Sequence, residues 1–317
     1  MPTLSAFIIC YKQGHLLGRQ LAAFSRQDVQ PDEVILIDDA SPDNTAELMQ
    51  RYCESHSNAR FIRNQQNMGV IETINIGLRA ATGDFVYCAA ADDEIQPGFF
   101  AAMMEIISAH PECGLAFCDP IWEIAGHARE ERYGLAPSSR YFSPDELVAL
   151  FRALLLRFLP GHCTIWRRAA FVEQGLMRPL LGGVCDSLPM WSVALRYGAC
   201  YVPRPLALAL LSPDTWGQRQ GRDRRKVFQD YLALVDALMD DEFADIRPRL
   251  RASRILSRNF RALRPLLARG KLFTLLDGIG AARLFLSWFR AELRRMQDTL
   301  LGFGPARVAA KADRIAG

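Results

Sequence analysis

The stretch GDFVYCAAADDEIQPG, residues 83–98, decides the fold. An uninterrupted apolar run, residues 85–91, lies between a Gly-Asp pair and three consecutive acids, and a helix is expected to start near Pro97. A short run without polar alternation reads as a strand buried on both faces, the kind that parallel sheets contain. The segments upstream repeat the arrangement. Residues 4–10 (LSAFIIC) end in Tyr11-Lys12 and precede helical spacing over residues 16–27. Residues 33–37 (EVILI) end in the acidic turn Asp38-Asp39-Ala40-Ser41-Pro42, with a helix expected from Asn44 or Thr45 to about residue 55. A brief strand at 60–63, a helix at 69–81 and a further strand at 114–118 complete the series. Strands alternating with helices predict right-handed βαβ units in a parallel sheet. Such sheets bind ligands at the carboxyl ends of their strands. Tyr11-Lys12, Asp38-Asp39 and Asp92-Asp93 all fall at those ends.

Composition sets the outer limits. The 317 residues can bury one α/β core of about 200 to 250 residues plus an appendage. Hydrophobic residues make up 50% and charged residues 23%, which places the chain among folded globular proteins. The apolar run 206–211, between two prolines, suits a buried strand and is far too short to span a bilayer. Residues 1–12 lack the basic segment and cleavage site of a signal peptide. The eight cysteines show no CxxC pair and no Cys/His ligand spacing, so they read as reduced core residues of a cytoplasmic protein.

The second half is less regular. Residues 122–145 are polar and read as a loop or lid. A helix is expected from Pro144 to about residue 158, a strand at 163–168, a helix at 186–197 and a last strand region at 201–211. From about Arg222 the pattern is helical, with breaks at Pro248, Gly270 and Gly302. Three units follow: a regular α/β half at 1–120, a less regular half at 121–221, and a basic helical extension at 222–317.

Each acid cluster has two readings on its own. Carboxylates at a strand end, such as Asp38 and Asp39, can accept hydrogen bonds from a base N–H or from ribose hydroxyls. One of them can equally bind loop amides, and Asp43 or Asn44 suffices to cap the next helix. The triplet Asp92-Asp93-Glu94 would repel itself without a nearby cation. Hard oxygen ligands suit Mg²⁺ or Mn²⁺ bound together with phosphate oxygens. The other reading is a helix N-terminus, where the dipole favours acids.

Taken together, the segments resemble the family 2 glycosyltransferases with a GT-A fold. FIICYK (residues 7–12), DDASPDNT (38–45) and NQQNMGVIETINIGLRAATGDFVYCAAADDEIQPGFF (64–100) carry the resemblance in order, including Asn67, Gly69, Asn75, Gly77, Gly83 and Asp84. The resemblance is good over residues 3–120 and weaker over 160–210. It implies a Rossmann-like, mostly parallel α/β sheet flanked by helices, with a helical C-terminal extension. Tyr11, Asp38, Asp39, Asn67 and Asp92 would bind a nucleotide-sugar donor, a UDP-sugar by family habit. Asp93, with Asp92, would hold a divalent metal and the diphosphate. Further on, TIWRRAAFVEQGL (164–176) and CDSLPMWSVALRYG (185–198) resemble the acceptor side, which aligns Asp186 with the base of inverting members. A helix N-cap accounts for Asp186 as well. Two departures stand out: Ala90 where many members have an aspartate, and Lys12 where the usual residue is Asn.

The net charge of +3 conceals a split. Residues 246–317 hold sixteen Lys/Arg against four Asp/Glu, a balance of +12, so the remainder carries −9. Within that tail, AARLFLSWFRAELRRMQDTLL (281–301) sets aromatic residues beside arginines at helical spacing. This pattern fits an interfacial helix on an anionic membrane, or a helix packing its apolar side on the catalytic domain. No nucleic-acid reading motif accompanies the charge, so no nucleic-acid partner is expected. The resemblance thus implies transfer of a sugar to a glycan or lipid-linked acceptor in cell-surface polysaccharide synthesis. Two other readings are a nucleotidyltransferase, for which KQGHLLGR (12–19) has too few glycines and basic residues, and a degenerate nucleotide- or glycan-binding module.

Overall fold

Four parallel strands begin the chain: β1 (Leu4–Cys10), β2 (Glu33–Asp38), β3 (Ala59–Arg63) and β4 (Phe85–Ala90). Helices α1 (Gly14–Ser25), α2 (Thr45–Ser55) and α3 (Val70–Ala80) connect them. The structure, a computed structural model, describes residues 1–153, 160–258 and 260–300. The register brings Cys10 opposite Asp38, Asp38 opposite Arg63, and Ile9 opposite Ala90. Tyr11, Asp39 and Ala91 therefore leave the sheet side by side at its carboxyl edge. That is where a parallel sheet collects ligands.

The sheet continues through β5 (Asp93–Ile95), α4 (Phe99–Ala109), β6 (Leu115–Ile124), β7 (His127–Glu130) and β8 (Arg140–Phe142). Helix α5 (Pro144–Ala153) precedes β9 (Thr164–Arg167), α6 (Arg168–Glu173), α7 (Ser187–Tyr197) and β10 (Ala199–Leu211). The order across the sheet is β3-β2-β1-β4-β9-β6-β10-β5, with β7 on β6 and β8 on β10. The long strands run parallel, β6 with β10 as well as β1 to β4, whereas the short strands β5, β7, β8 and β9 run antiparallel.

Two expectations change. The polar segment 122–145 is not wholly a loop, because β6 runs on to Ile124 and returns as β7 through Ala125-Gly126. Both turn residues have positive φ (50° and 78°), the geometry of a two-residue hairpin that follows the sheet twist. Strand β7 is polar and exposed along its length, so no buried face marked the hairpin in the sequence. Asp92-Asp93 likewise does not open a helix. Asp93 and Glu94 lie in β5, paired with Ala209 and Leu208 of β10, and α4 starts only at Phe99.

Alternate residues of each strand feed two cores. Phe7, Ile9, Ile35 and Ile37 face one layer, and Ala6, Ile8, Val34 and Leu36 face the other. The first layer is closed by the C-terminal helices: α8 (Trp216–Gln220), α9 (Arg224–Met239), α10 (Arg247–Ser253), α11 (Leu263–Ala268), α12 (Leu272–Leu275) and α13 (Gly278–Leu300). Tyr231, Leu234, Leu238, Leu250, Leu266 and Leu284 belong to the same apolar cluster as Phe7 and Trp166. The described part of the extension is thus a layer over the sheet. Helix α13 divides its apolar residues: Ala281 and Leu284 are buried, whereas Phe285, Leu286, Phe289 and Leu293 are exposed. Among the described residues no helix is long and apolar enough to cross a membrane. All eight cysteines are free, and six are buried.

Candidate functional site

At the end of β1 the chain turns sharply. Tyr11 is exposed, and Lys12 adopts the left-handed conformation (φ 56°), its N–H donating to Ser41 Oγ at 3.0 Å. The Lys12 ammonium sits 5.1 Å from the Tyr11 ring centroid. Beside it, Asp38 is fully buried. Its Oδ1 accepts from the Ser41 N–H at 2.9 Å, and its Oδ2 lies 3.2 Å from Arg63 Nε. Asp38 thereby fixes the turn that holds Lys12.

Asp39 works on the next loop. It accepts from Asn64 Nδ2 (2.8 Å), the Met68 N–H (2.7 Å) and the Gly69 N–H (2.9 Å). A carboxylate offers about four acceptor positions, so room remains for one further donor. Asn67 stands exposed on this loop, at the tip the carboxylate holds in place. The start of α2 is held by Asp43 instead, whose Oδ1 accepts from the Thr45 N–H at 3.2 Å and from its hydroxyl at 2.6 Å, while Asn44 occupies the N-cap position without a side-chain bond.

Asp92 and Asp93 follow β4 directly. Asp93 Oδ2 accepts from the Ala90 N–H at 3.0 Å. Burial pushes both carboxyls above the usual carboxylate range; for Asp93 the neighbouring Asp92 adds to the effect. Gln13, just before α1, hydrogen-bonds to Asp92 and opposes the shift. Glu94 points elsewhere, bound to Arg19 at 2.9 Å and within 3.8 Å of Arg26 on α1. The acid triplet is therefore a pair plus a structural salt bridge. No three His, Cys, Asp or Glu side chains gather into a ligand cluster among the described residues. A pair of carboxylates that resists ionisation alone still fits Mg²⁺ or Mn²⁺, which take one or two carboxylates and complete their shell with phosphate oxygens and water.

Asp186 stands at the N-cap of α7, half-buried, and makes no capping hydrogen bond to the helix. Burial raises its carboxyl to about 6, against the lowering effect of its own and Ser187's amides. The Cys88 thiol on β4 is pushed up by burial first, then by the charge of Asp93 and by the Cys185 thiol, the residue before Asp186. A buried two-way bond also ties the halves together: Asn75 Nδ2 donates to the Met177 carbonyl (2.8 Å) and the Met177 N–H donates back (3.0 Å).

His162 packs edge-on to Trp122 with ring centroids 5.0 Å apart, and burial pushes its imidazole down to about 3. It is a neutral ring at any ordinary pH. Gln13, Arg63, Asn64 and Asp119 were not singled out from the sequence. Asp119 is buried, accepting from the Tyr201 hydroxyl (2.7 Å) and the Tyr133 N–H (3.0 Å). Each is an ordinary polar residue in the sequence, and only the strand register shows what it meets.

The family model described as Glycosyl transferase family 2 matches residues 5–175, more than half of the chain. An uncharacterized glycosyltransferase, YibD of Escherichia coli, is 29% identical over 119 residues, 38% of this chain and 34% of that protein. A poly-beta-1,6-N-acetyl-D-glucosamine synthase of Staphylococcus aureus is 27% identical over 219 residues, 68% of this chain and 51% of that one. The matched region thus spans a third to a half of these curated relatives. Among solved structures, S. aureus TarS with UDP-GlcNAc superposes with a TM-score of 0.67 at 14% identity, covering 86% of this chain and 81% of that one. The mannosyltransferase PcManGT of Pyrobaculum calidifontis, with GDP-Man and Mn²⁺, gives 0.54 at 18% identity, over 92% and 81%. At such identities the likeness is one of fold. The chain is a glycosyltransferase of family 2, built on the GT-A fold.

Proposed function

We propose that the protein transfers a sugar from a nucleotide sugar, a UDP-sugar, to a hydroxyl of a glycan or lipid-linked acceptor, with inversion, in building a cell-surface polysaccharide. The observation that carries this reading is the Asp92-Asp93 pair. It lies at the carboxyl edge of the parallel strands, outside any helix terminus, in a form that a cation would stabilise. Tyr11, Asp38, Asp39 and Asn67 border the same edge and are assigned to the base and ribose, Asp38 and Asp39 chiefly through the loops they hold. The relatives support the substrate class by what their names state: a poly-N-acetylglucosamine synthase, and folds solved with UDP-GlcNAc and with GDP-Man.

In the chemical step, an acceptor hydroxyl oxygen forms a bond to the anomeric carbon while the bond from that carbon to the diphosphate oxygen breaks. The leaving diphosphate takes the electron pair, and Asp186 takes the hydroxyl proton. A divalent cation held by Asp93 and Asp92 would neutralise charge developing on the diphosphate. Asp186 suits its role because burial has brought its basicity close to neutral pH. The test is hydrolysis and transfer from UDP- and GDP-sugars with Mn²⁺, by the wild type and Asp93→Ala. Turnover by the wild type and its loss in Asp93→Ala are expected; a wild type that neither binds nor consumes any nucleotide sugar overturns the reading. Binding without turnover would favour the degenerate binding module.

The exposed face of α13 supports peripheral attachment on the cytoplasmic side of a membrane. Phe285, Leu286, Phe289 and Leu293 form an apolar stripe beside the exposed Arg283, Arg290 and Arg294. Apolar insertion and attraction of arginines to anionic headgroups act together there. Sedimentation with phosphatidylglycerol vesicles, but not with phosphatidylcholine vesicles, is the expected result. Loss of sedimentation in a Phe285→Ser, Phe289→Ser double variant ties it to this face.

A further inference from the structure

The turn that delivers Asp186 is held from outside the family-matched region. Residues 179–184 form a 3₁₀ segment without a side-chain cap of its own. In its middle, Gly182 adopts φ 49° and ψ −123°, a backbone open to glycine alone. A Cβ at Gly182 would overlap the carboxylate of Asp230, a buried residue on α9. The next amide, Gly183 N–H, donates to Asp230 Oδ2 at 2.9 Å. Lys226, one turn earlier on α9, places its Nζ 3.8 Å from Asp230 Oδ1. Gly183 is closed on its other side by α8, where an added Cβ would lie 2.9 Å from that of Gln220. Helix α9 itself cannot drift, since Tyr231, Leu234, Val235 and Leu238 are buried in the main core.

We infer that Asp230 is the positioning residue for Asp186, acting through the Gly182-Gly183 turn. The inference rests on the reading of Asp186 as the proton acceptor. A charge-assisted bond donated by a backbone N–H to a buried carboxylate is short and directional. It fixes the turn three residues before Asp186 and adds a side-chain anchor to the segment's own 3₁₀ bonds. The steric fit at Gly182 works with it: the turn can approach α9 closely because no side chain intervenes. The helical extension therefore completes the site, although no side chain of α9 is assigned to touch substrate.

The test compares Asp230→Ala and Asp230→Asn in the full-length protein, with Asp186→Asn in parallel. Asn keeps an acceptor oxygen for the Gly183 N–H and should retain kcat. Ala removes it; kcat should fall about 10- to 100-fold, the cost of misplacing a reacting group by a fraction of an ångström to one ångström. Donor KM and the thermal shift produced by UDP should stay at the wild-type values, because the donor edge is untouched. Should Ala not fold, Asp230→Glu keeps the charge and displaces the carboxylate by one methylene, with the same loss of kcat expected. Wild-type kcat in the Ala or Glu variant, or an equal loss of donor binding, overturns the positioning role. Asp186→Asn separates the two failures. If it is inactive while Asp230→Ala turns over normally, this inference alone falls; if it turns over normally, the base assignment falls and this inference with it.

Discussion

At the residue scale, Asp186 links activity and stability in opposite senses. Its folded carboxyl is raised to about 6 by burial, so folding favours the protonated form. That contribution is complete below the ordinary carboxylate range and is lost as the pH rises through about 6. Turnover has the reverse dependence, because only the ionised group accepts a proton. The rate at saturating substrate should therefore fall on the acidic side of about pH 6. Asp186→Asn should lack turnover, yet melt at a higher temperature than the wild type at pH 8 and with no such gain at pH 4. Calorimetry at both values checks the sign. Asp93→Asn bears on the donor side: it should abolish the Mn²⁺-dependent part of the UDP-induced thermal shift while leaving a metal-independent remainder from the base and ribose contacts. Lys12 shows what one position conceals. The chain there is left-handed, which Asn tolerates better than lysine, so the family's usual Asn reports a backbone demand that Lys12 meets under some strain.

At the element scale, α13 offers two faces that ought to answer differently to mutation. Leu284 is fully buried in the main core, so Leu284→Ala should cost about 2–5 kcal/mol in denaturant unfolding. Phe289 lies on the exposed stripe, and Phe289→Ser should change stability by no more than about 0.5 kcal/mol while weakening vesicle binding. Both residues sit in one amphipathic pattern, and the sequence left open which side meets the protein. The same limit explains the other elements. Strands β1, β2 and β4 were legible because both faces are buried, which leaves an unbroken apolar run. Hairpin β6–β7 was not, because β7 is exposed along its length. Strand β5 was hidden by its acids: three residues are too few for a period, and acids before a helix mimic a cap.

At the scale of the molecule, the order of the elements and the acid pair could be read from sequence, whereas the bonds among site residues could not. Asp38 and Asp39 were legible as a strand-end cluster. Their partners Arg63, Asn64 and Gly69 are set by parallel register 25 to 30 positions away, a spacing with no local signature. Asp230 is a stronger case, since it lies 47 positions from the amide it holds. The charge division of +12 against −9 remains a property of the chain as a whole. Vesicle binding through it should weaken steeply between low salt and about 0.5 M, because the Debye length shrinks from about 10 Å at 0.1 M towards about 3 Å at 1 M.

The pairing of β5 with β10 has a consequence for how the chain is made. Asp93 is fixed by a strand of only three residues, and its hydrogen-bonded neighbour is Ala207–Ala209, more than a hundred positions later. During synthesis the nucleotide edge is translated first, yet its acid-bearing strand lacks its sheet neighbour until β10 has emerged. Native donor recognition is thus a late event in folding, coupled to closure of a long loop. A nascent or truncated chain ending before residue 207 would hold every donor-side residue and still present Asp93 on a strand without its sheet partner.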